Sequence, residues 1–461
     1  MVLLVIPNLS NREVRLTIDL PVMDYYAVQN LLGPGKTWFS LCSGPVSADL
    51  TAFRYILGKK IPRRRCRAMQ RTAEFNGPEG QSMAATTQTA PTATATARVL
   101  SLDIARGITI AFMIMVNNNG AAAYHPFTHS AWNGCTPTDL VFPTFVFIVG
   151  ASIVLSFGKR LERGASKGRI AIGIVRRAVI LFALGLVVNG FPHFPLHTLR
   201  IYGVLQRIAL CYLIAGLFYL WRRDAASKVV AIVVLLVGYW ILMRYVPVPG
   251  FGVPTHQIPL LDHDRNWVAW LDRKLLPGRL YEGVRDPEGL LSTLPAIATA
   301  LFGVLAGLWM RTERSRQQIA AGFLAAAVGL MALGELWNLS FPINKKLWTS
   351  SYVLFAAGCS LLLLGCLYWC IDVKQWRRPF TQPWIVFGTN AIFAYMLSEL
   401  LASTLGNVHV HGRETLWSWI YSPFRHIHPP GVGSLLYSIA FTAVCWLATY
   451  PLWRRRIFLK I

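Results

Sequence analysis

The chain reads as an all-α, polytopic integral membrane protein with about ten transmembrane helices and both termini cytoplasmic. Three observations predict this class. Several stretches run for about 20 residues almost without charge, the length a helix needs to cross a bilayer. Charged residues make up 14% of the chain and mean hydropathy is +0.44, whereas a soluble chain carries about 25% charged residues. Lys and Arg gather in alternate loops. The apolar runs are continuous rather than alternating, which excludes a β-barrel. The net charge of +24 first suggests nucleic acid. However, the cations form short clusters between spans, as the positive-inside rule produces, and no basic face or known module accompanies them. The expected partner is the lipid bilayer, not nucleic acid.

Residues 1–97 stand apart from the rest. Residues 1–82 hold Pro-Gly breaks, a basic run from Lys59 to Arg67 and no spanning segment. Met1–Leu9 is apolar but too short, and lacks the basic start of a signal peptide. Residues 83–97, MAATTQTAPTATATA, are of low complexity. The expectation is a poorly ordered or dispensable extension over 1–97, with Met83 as an alternative start, followed by one transmembrane domain over 98–461.

Within 98–461 the spans fall at 104–123, 138–158, 170–190, 201–221, 229–246, 289–310, 317–339, 348–371, 384–405 and 434–453. One set of loops is short and basic: Lys159–Arg169, Arg222–Lys228, Arg311–Arg316, Lys374–Arg378 and Arg454–Arg456. These are placed in the cytoplasm, with both termini. The other set, 124–137, 191–200, 247–288, 340–347 and 406–433, is longer and less basic, and it or its edges hold all ten histidines. His-x-His pairs occur at 409/411 and 426/428, but no ligand set at helical spacing accompanies them, so no metal is expected. Of the eight cysteines, five lie inside apolar spans and none belongs to a disulfide framework.

The stretch His125–Pro143, HPFTHSAWNGCTPTDLVFP, concentrates the chemistry. His129 closes one apolar segment and Asp139 opens the next, at the edge of a dry environment where ionisable groups are costly and point to function. His129 is the natural general base. Asp139 is either the group that orients one of its ring nitrogens or a first-turn helix acid. The preceding span ends at Asn117-Asn118-Asn119-Gly120, which is either a helix stop or a set of amides able to orient a carbonyl or its oxyanion. At the opposite end of that span, Asp103 and Arg106 share a helix face. They are either a helix-start acid with a snorkelling arginine or an anchor for an anionic group arriving from the cytoplasm. Trp132 is either a sugar-stacking platform or an interfacial belt residue. Asn133 adds an amide to the same loop, and Arg207, Glu288, Lys345 and Glu399 put charged groups into or at the ends of other spans, which implies a shared polar cavity between helices.

Taken together, SLDIARG, MVNNNG, HSAWNGCTPTDLVFPTFVFIVGASI, LRIYGVLQRIALCY, DPEGLLSTLPAI, PINKKLWTSSYVL and the Asn390 segment resemble the transmembrane acetyltransferases typified by heparan-α-glucosaminide N-acetyltransferase and its bacterial inner-membrane relatives. The resemblance covers residues 98–461. It implies transfer of an acetyl group from cytoplasmic acetyl-CoA, a co-substrate, to an amine on the periplasmic side, an amino sugar such as a terminal glucosamine. It places the family's active histidine at His129 and its loop asparagine at Asn117, with Asn118 as rival, and it is compatible with a homodimer. On this reading His129, Asn117 and Asp139 are catalytic. Asp103, Arg106, Arg176 and Arg177 face the coenzyme. Asn118, Trp132, Asn133, Arg207, Glu288 and Lys345 face the acceptor. Whether His129 carries the acetyl group or only moves a proton stays open. The alternative is a transporter of amino sugars or their oligosaccharides, which would show a repeated pattern in its two halves.

Overall fold

The computed structural model describes strands 2–7 and 13–18 and residues 99–459 other than 377, 378, 380, 411 and 413. The expectations for the rest of residues 1–97, and for Arg377, Arg378 and His411, lie outside the described residues. Residues 1–94 form a unit of their own, in which β1 (Val2–Pro7) pairs antiparallel with β2 (Glu13–Ile18), Val2 opposite Ile18.

Residues 95–461 form the helical unit. Its helices are α1 (Leu100–Asn117), α2 (Val141–Glu162), α3 (Lys167–Gly190), α4 (Val204–Trp221), α5 (Ala225–Tyr245), α6 (Trp267–Leu275), α7 (Thr293–Trp309), α8 (Arg316–Asn338), α9 (Ser350–Leu367), α10 (Gln382–Thr389), α11 (Ala391–Asn407), α12 (Leu416–Arg425) and α13 (Pro430–Arg454). Polar caps start several of them at the basic loops. Ser166 accepts from Arg169 N–H, Asp224 from Ser227 N–H and Ser315 from Gln318 N–H, each satisfying a backbone donor the helix leaves free. Among the described residues, eight helices are long and apolar enough to cross a membrane, and the bent pair α10–α11 makes a ninth. The protein is therefore a multi-pass, all-α membrane protein.

Each of the ten expected spans has its helical counterpart, with two departures. The α7 helix is only 17 residues long. The span expected at 384–405 breaks at Asn390, where α10 and α11 meet at 83°. Asn390 leaves helical geometry (φ −125°, ψ 41°), and its side chain takes up backbone groups elsewhere. Nδ2 donates to Ile457 O and Oδ1 accepts from Leu459 N–H, both at 3.1 Å. A broken helix at membrane depth is tolerated where such partners replace the lost ladder. Two helices arise where loops were expected, α6 and α12, started by the side chains of Asn266 and Thr415.

The core lies on α1, α2, α4, α7 and α9, while α3, α5 and α8 turn most of their surface outward. Small residues let backbones meet, as is usual where lipid offers no hydrophobic drive for association. A Cβ on Gly107 would fall 1.8 Å from Trp384 O, and one on Gly388 would fall 2.0 Å from Asp103 O. This contact seats α10 directly on α1, beside Arg106.

Candidate active site

Asp139 organises the loop between α1 and α2. It sits in a one-turn 3-10 helix, Pro137–Leu140, and is fully buried. Its Oδ2 accepts from Ser130 N–H (3.0 Å), Thr136 N–H (3.0 Å) and Thr136 Oγ1–H (3.1 Å). Its Oδ1 lies 2.7 Å from His129 Nδ1. A buried carboxylate accepts, so it assigns the proton to Nδ1 and leaves Nε2 as the accepting nitrogen of the ring. Tyr352 donates to Asp139 O at 2.6 Å, tying the turn to α9. The His129 side chain is 48% exposed, so its ring is reachable from solvent.

A second loop closes on the first. Gly134 adopts φ +99° and donates to Ile343 O at 2.8 Å. Asn344 donates to Asn133 Oδ1 at 3.2 Å and accepts from Leu347 N–H at 2.9 Å. Trp348, buried with φ +54°, ends the turn in a conformation that a bulky residue seldom takes. Its indole donates to Thr299 Oγ1 at 3.2 Å, and the Arg207 guanidinium lies 4.9 Å over its ring. This scaffold puts Lys345 Nζ 2.9 Å from His129 Nδ1, 3.4 Å from Nε2 and 3.4 Å from Asp139 Oδ1. Burial pushes the lysine below its ordinary pKa, while Asp139 and Glu288 pull it back up. Cys135 stands nearby, but burial pushes its thiol up to about 12, so it is no thiolate nucleophile at neutral pH.

Other sequence candidates divide by position. Asn117 is exposed and donates to Glu399 Oε1 at 3.2 Å. Asn118 is buried and donates back to Ile114 O at 2.8 Å. Asn119 Nδ2 donates to Val116 O and Phe127 O. Trp132 stacks on His263 with ring centroids 3.9 Å apart, lies 4.4 Å from the Arg285 guanidinium carbon, and donates to Leu261 O. Its ring is thus engaged by the protein itself. Arg207 is fully buried; its Nη2 donates to Gly289 O and Ser292 Oγ, while its Nε and Nη1 have no hydrogen-bond partner among the described residues. Glu288 pairs with Arg200 at 2.6 Å, and Arg200 also holds Asp286.

The remaining candidates line a cavity of about 720 Å³ between α1, α2, α3, α4 and α11. Asp103, Arg106, Lys159, Arg177 and Arg311 line the end where α1 begins and α2 and α7 finish, and Met113, Val204 and Tyr395 line the other. Arg106 bridges three helices, through Asp103 (3.3 Å), Gly388 O (3.2 Å) and Ser152 Oγ (2.7 Å). Arg177 lies 5.0 Å over the Tyr212 ring, and its buried Nε has no hydrogen-bond partner. Arg176 is exposed and is not among the lining residues. Phe458 and Leu459 also form part of the wall. Met113 and Tyr395 sit four residues below Asn117 and Glu399 on their helices, roughly 6 Å of rise. None of the lining residues belongs to the His129 cluster.

Sequence reasoning missed Lys159 and Arg311 as cavity residues and gave Glu399 no partner. The first two read as ordinary inner-loop charges. Glu399 was visible as a carboxylate within an apolar run, but nothing in the sequence paired it with Asn117. Among the described residues, no group of three His, Cys, Asp or Glu side chains is arranged to hold a metal.

Asp272, fully buried on α6, ties α6 to the segment before α7 by accepting from Asp286 N–H at 3.0 Å. Burial raises its carboxyl to about 6, with the Asp286 charge adding to the rise. A raised carboxyl favours the folded state below the unfolded pKa, and that contribution fades as pH rises through 6. The thermal midpoint should therefore lose ground between pH 4 and 6 more steeply in the native chain than in Asp272→Asn, when both are followed by scanning fluorimetry. Parallel slopes would disprove this.

Residues 98–343 match the family model described as heparan-alpha-glucosaminide N-acetyltransferase, catalytic. The chain is 31% identical over 424 residues to heparan-alpha-glucosaminide N-acetyltransferase of Homo sapiens, and 30% identical over 423 residues to that of Mus musculus. Each match covers 79% of this chain and 60% of the relative, so the chain spans less than two thirds of those proteins' length.

Proposed function

Because the chain belongs to the heparan-alpha-glucosaminide N-acetyltransferase family, we propose that it is a membrane-embedded acetyltransferase that moves the acetyl group of acetyl-CoA to an amine, an amino sugar, on the far side of the membrane. The carrying observation is the separation of two kinds of chemistry along one bundle. A base with its orienting carboxylate stands at the outer loops, and a cavity with a basic mouth opens among the inner ones. The positive-inside rule makes the basic mouth cytoplasmic. In a bacterial inner membrane the His129 side would then be the periplasm.

Acetyl-CoA would supply the acetyl group as an activated thioester. Its anionic end suits Lys159, Arg177 and Arg311, whose charges suit phosphate, and Arg106 further in. The 720 Å³ cavity gives the pantetheine arm room to reach Met113 and Tyr395. His129 Nε2, with Nδ1–H held by Asp139, takes a proton from the acceptor amine as it attacks. Glu288, Glu399 and Asn117 supply acceptor-side polarity, and Glu399 suits an ammonium. A homodimer is compatible with this reading and is not needed by it.

Purified protein in nanodiscs, given labelled acetyl-CoA and glucosamine, should yield labelled N-acetylglucosamine. Residues 1–97 are dispensable in this reading, so a chain begun at Met83 should match the full one. In proteoliposomes, product should form when the two substrates are on opposite sides. Accumulation of glucosamine without acetyl-CoA, and no acetylated product, would replace this reading with a transporter.

A further inference from the structure

Resting on that reading, the geometry points to Lys345 as the catalytic donor that holds the carbonyl oxygen of the acetyl group during transfer, a role the sequence had offered to the asparagines of α1. Any acyl transfer needs a donor aimed at the oxygen where negative charge develops, about 3 Å from it. The asparagines are turned to other tasks. Asn118 donates to Ile114 O, and Asn119 spends its amide on Val116 O and Phe127 O. Asn117 donates to Glu399, the carboxylate on α11. Among the described residues, the His129 ring has two hydrogen-bond partners, Asp139 and Lys345. Asp139 can only accept.

Lys345 Nζ meets what the step requires. It stands 3.4 Å from Nε2, the nitrogen that takes the proton. When an acceptor amine replaces the lysine as donor to Nε2, the carbonyl it attacks lies within the ammonium's reach. The lysine is fixed rather than floating. The Asn344 and Trp348 contacts define its turn, its side chain is 17% exposed, and Asp139 is 3.4 Å away. Such fixed dipoles and charges need no rearrangement when charge develops.

The step balances on these groups. The amine nitrogen attacks the acetyl carbon, the carbonyl π pair moves to oxygen under Lys345 Nζ–H, and an amine proton passes to His129 Nε2. The carbonyl re-forms as the carbon–sulfur bond breaks, and the histidine proton goes to the departing sulfur. The products are the N-acetyl amine and the coenzyme A thiol, with His129 and Lys345 back in their starting states.

Lys345→Met and Lys345→Gln test the assignment, with kcat and KM for glucosamine measured on each protein in nanodiscs. Loss of the donor should lower kcat about 10²–10³-fold and leave KM within about threefold. The glutamine variant keeps a neutral N–H and should fall between methionine and wild type. If the methionine variant fails to fold, monitored by gel filtration, the glutamine variant decides, since it must still lose kcat. A variant with wild-type kcat and a raised KM makes Lys345 a binder of acceptor and overturns the assignment. That result leaves the acetyltransferase reading standing, whereas a wild-type protein without any transfer defeats both.

Discussion

His129→Ala should abolish acetyl transfer while leaving the protein folded. Removing a positioned general base lowers kcat by about 10²–10⁴-fold, and the upper part of that range is expected here, because among the described residues no second imidazole is bonded to Asp139 or Lys345. The fold should tolerate the change. The ring is 48% exposed, and its hydrogen-bond partners among the described residues are Asp139 and Lys345, both of which keep each other's company at 3.4 Å. The measurement is kcat with labelled acetyl-CoA and glucosamine, with the thermal midpoint as control. Activity within tenfold of wild type would remove His129 from the chemistry.

Asp139→Asn should cost as much activity and a good deal more stability. An asparagine cannot reproduce the carboxylate. If its oxygen keeps the donors from Ser130 and Thr136, its amide faces His129 Nδ1 and forces the proton to Nε2, the nitrogen that must be free. The loss of a correct tautomer in a carboxylate–histidine pair costs about 10⁴-fold in kcat. If the amide turns the other way, it points N–H groups at Ser130 N–H and Thr136 N–H, and the turn that starts α2 loses its centre. Both orientations lower kcat, and the second also lowers the thermal midpoint. A variant that keeps full activity would show that Asp139 only caps the turn.

Much of the fold was legible because the bilayer imposes a simple rule, about 20 apolar residues per crossing. That rule places α1–α5, α8, α9 and α13 directly. It also explains the failure at 384–405. Length and hydropathy are satisfied there, but Asn390 finds better partners in the backbone of Ile457 and Leu459 than in continuing the helix. Those partners lie 67 and 69 residues away, beyond the reach of any local pattern. The α6 and α12 helices escaped for the opposite reason. They are short and amphipathic, and their caps, Asn266 and Thr415, look like ordinary loop residues.

The candidate site was legible in its local part. His129 and Asp139 lie ten residues apart in one loop, and the spacing that suggested a pair is the spacing that the turn closes to 2.7 Å. Lys345 was expected to face the acceptor. Its contact with His129 spans 216 residues and depends on the Gly134–Ile343 and Asn133–Asn344 ties between two loops. Arg207 was legible only as a charged residue in a span; that its Nη2 would be held by Gly289 and Ser292 across more than 80 residues of sequence was not. Arg176 and Arg177 could not be separated without knowing which way α3 faces.

The clasp between Asn390 and the segment after α13 has a practical bearing on how this protein is handled. Phe458 and Leu459 are wall residues of the basic-mouthed cavity. An affinity tag or fluorescent protein fused behind them would tug at the wall and crowd the doorway, so a preparation labelled there risks being counted as inert. The purification handle belongs at the other end of the chain, or behind a long cleavable linker removed before any assay.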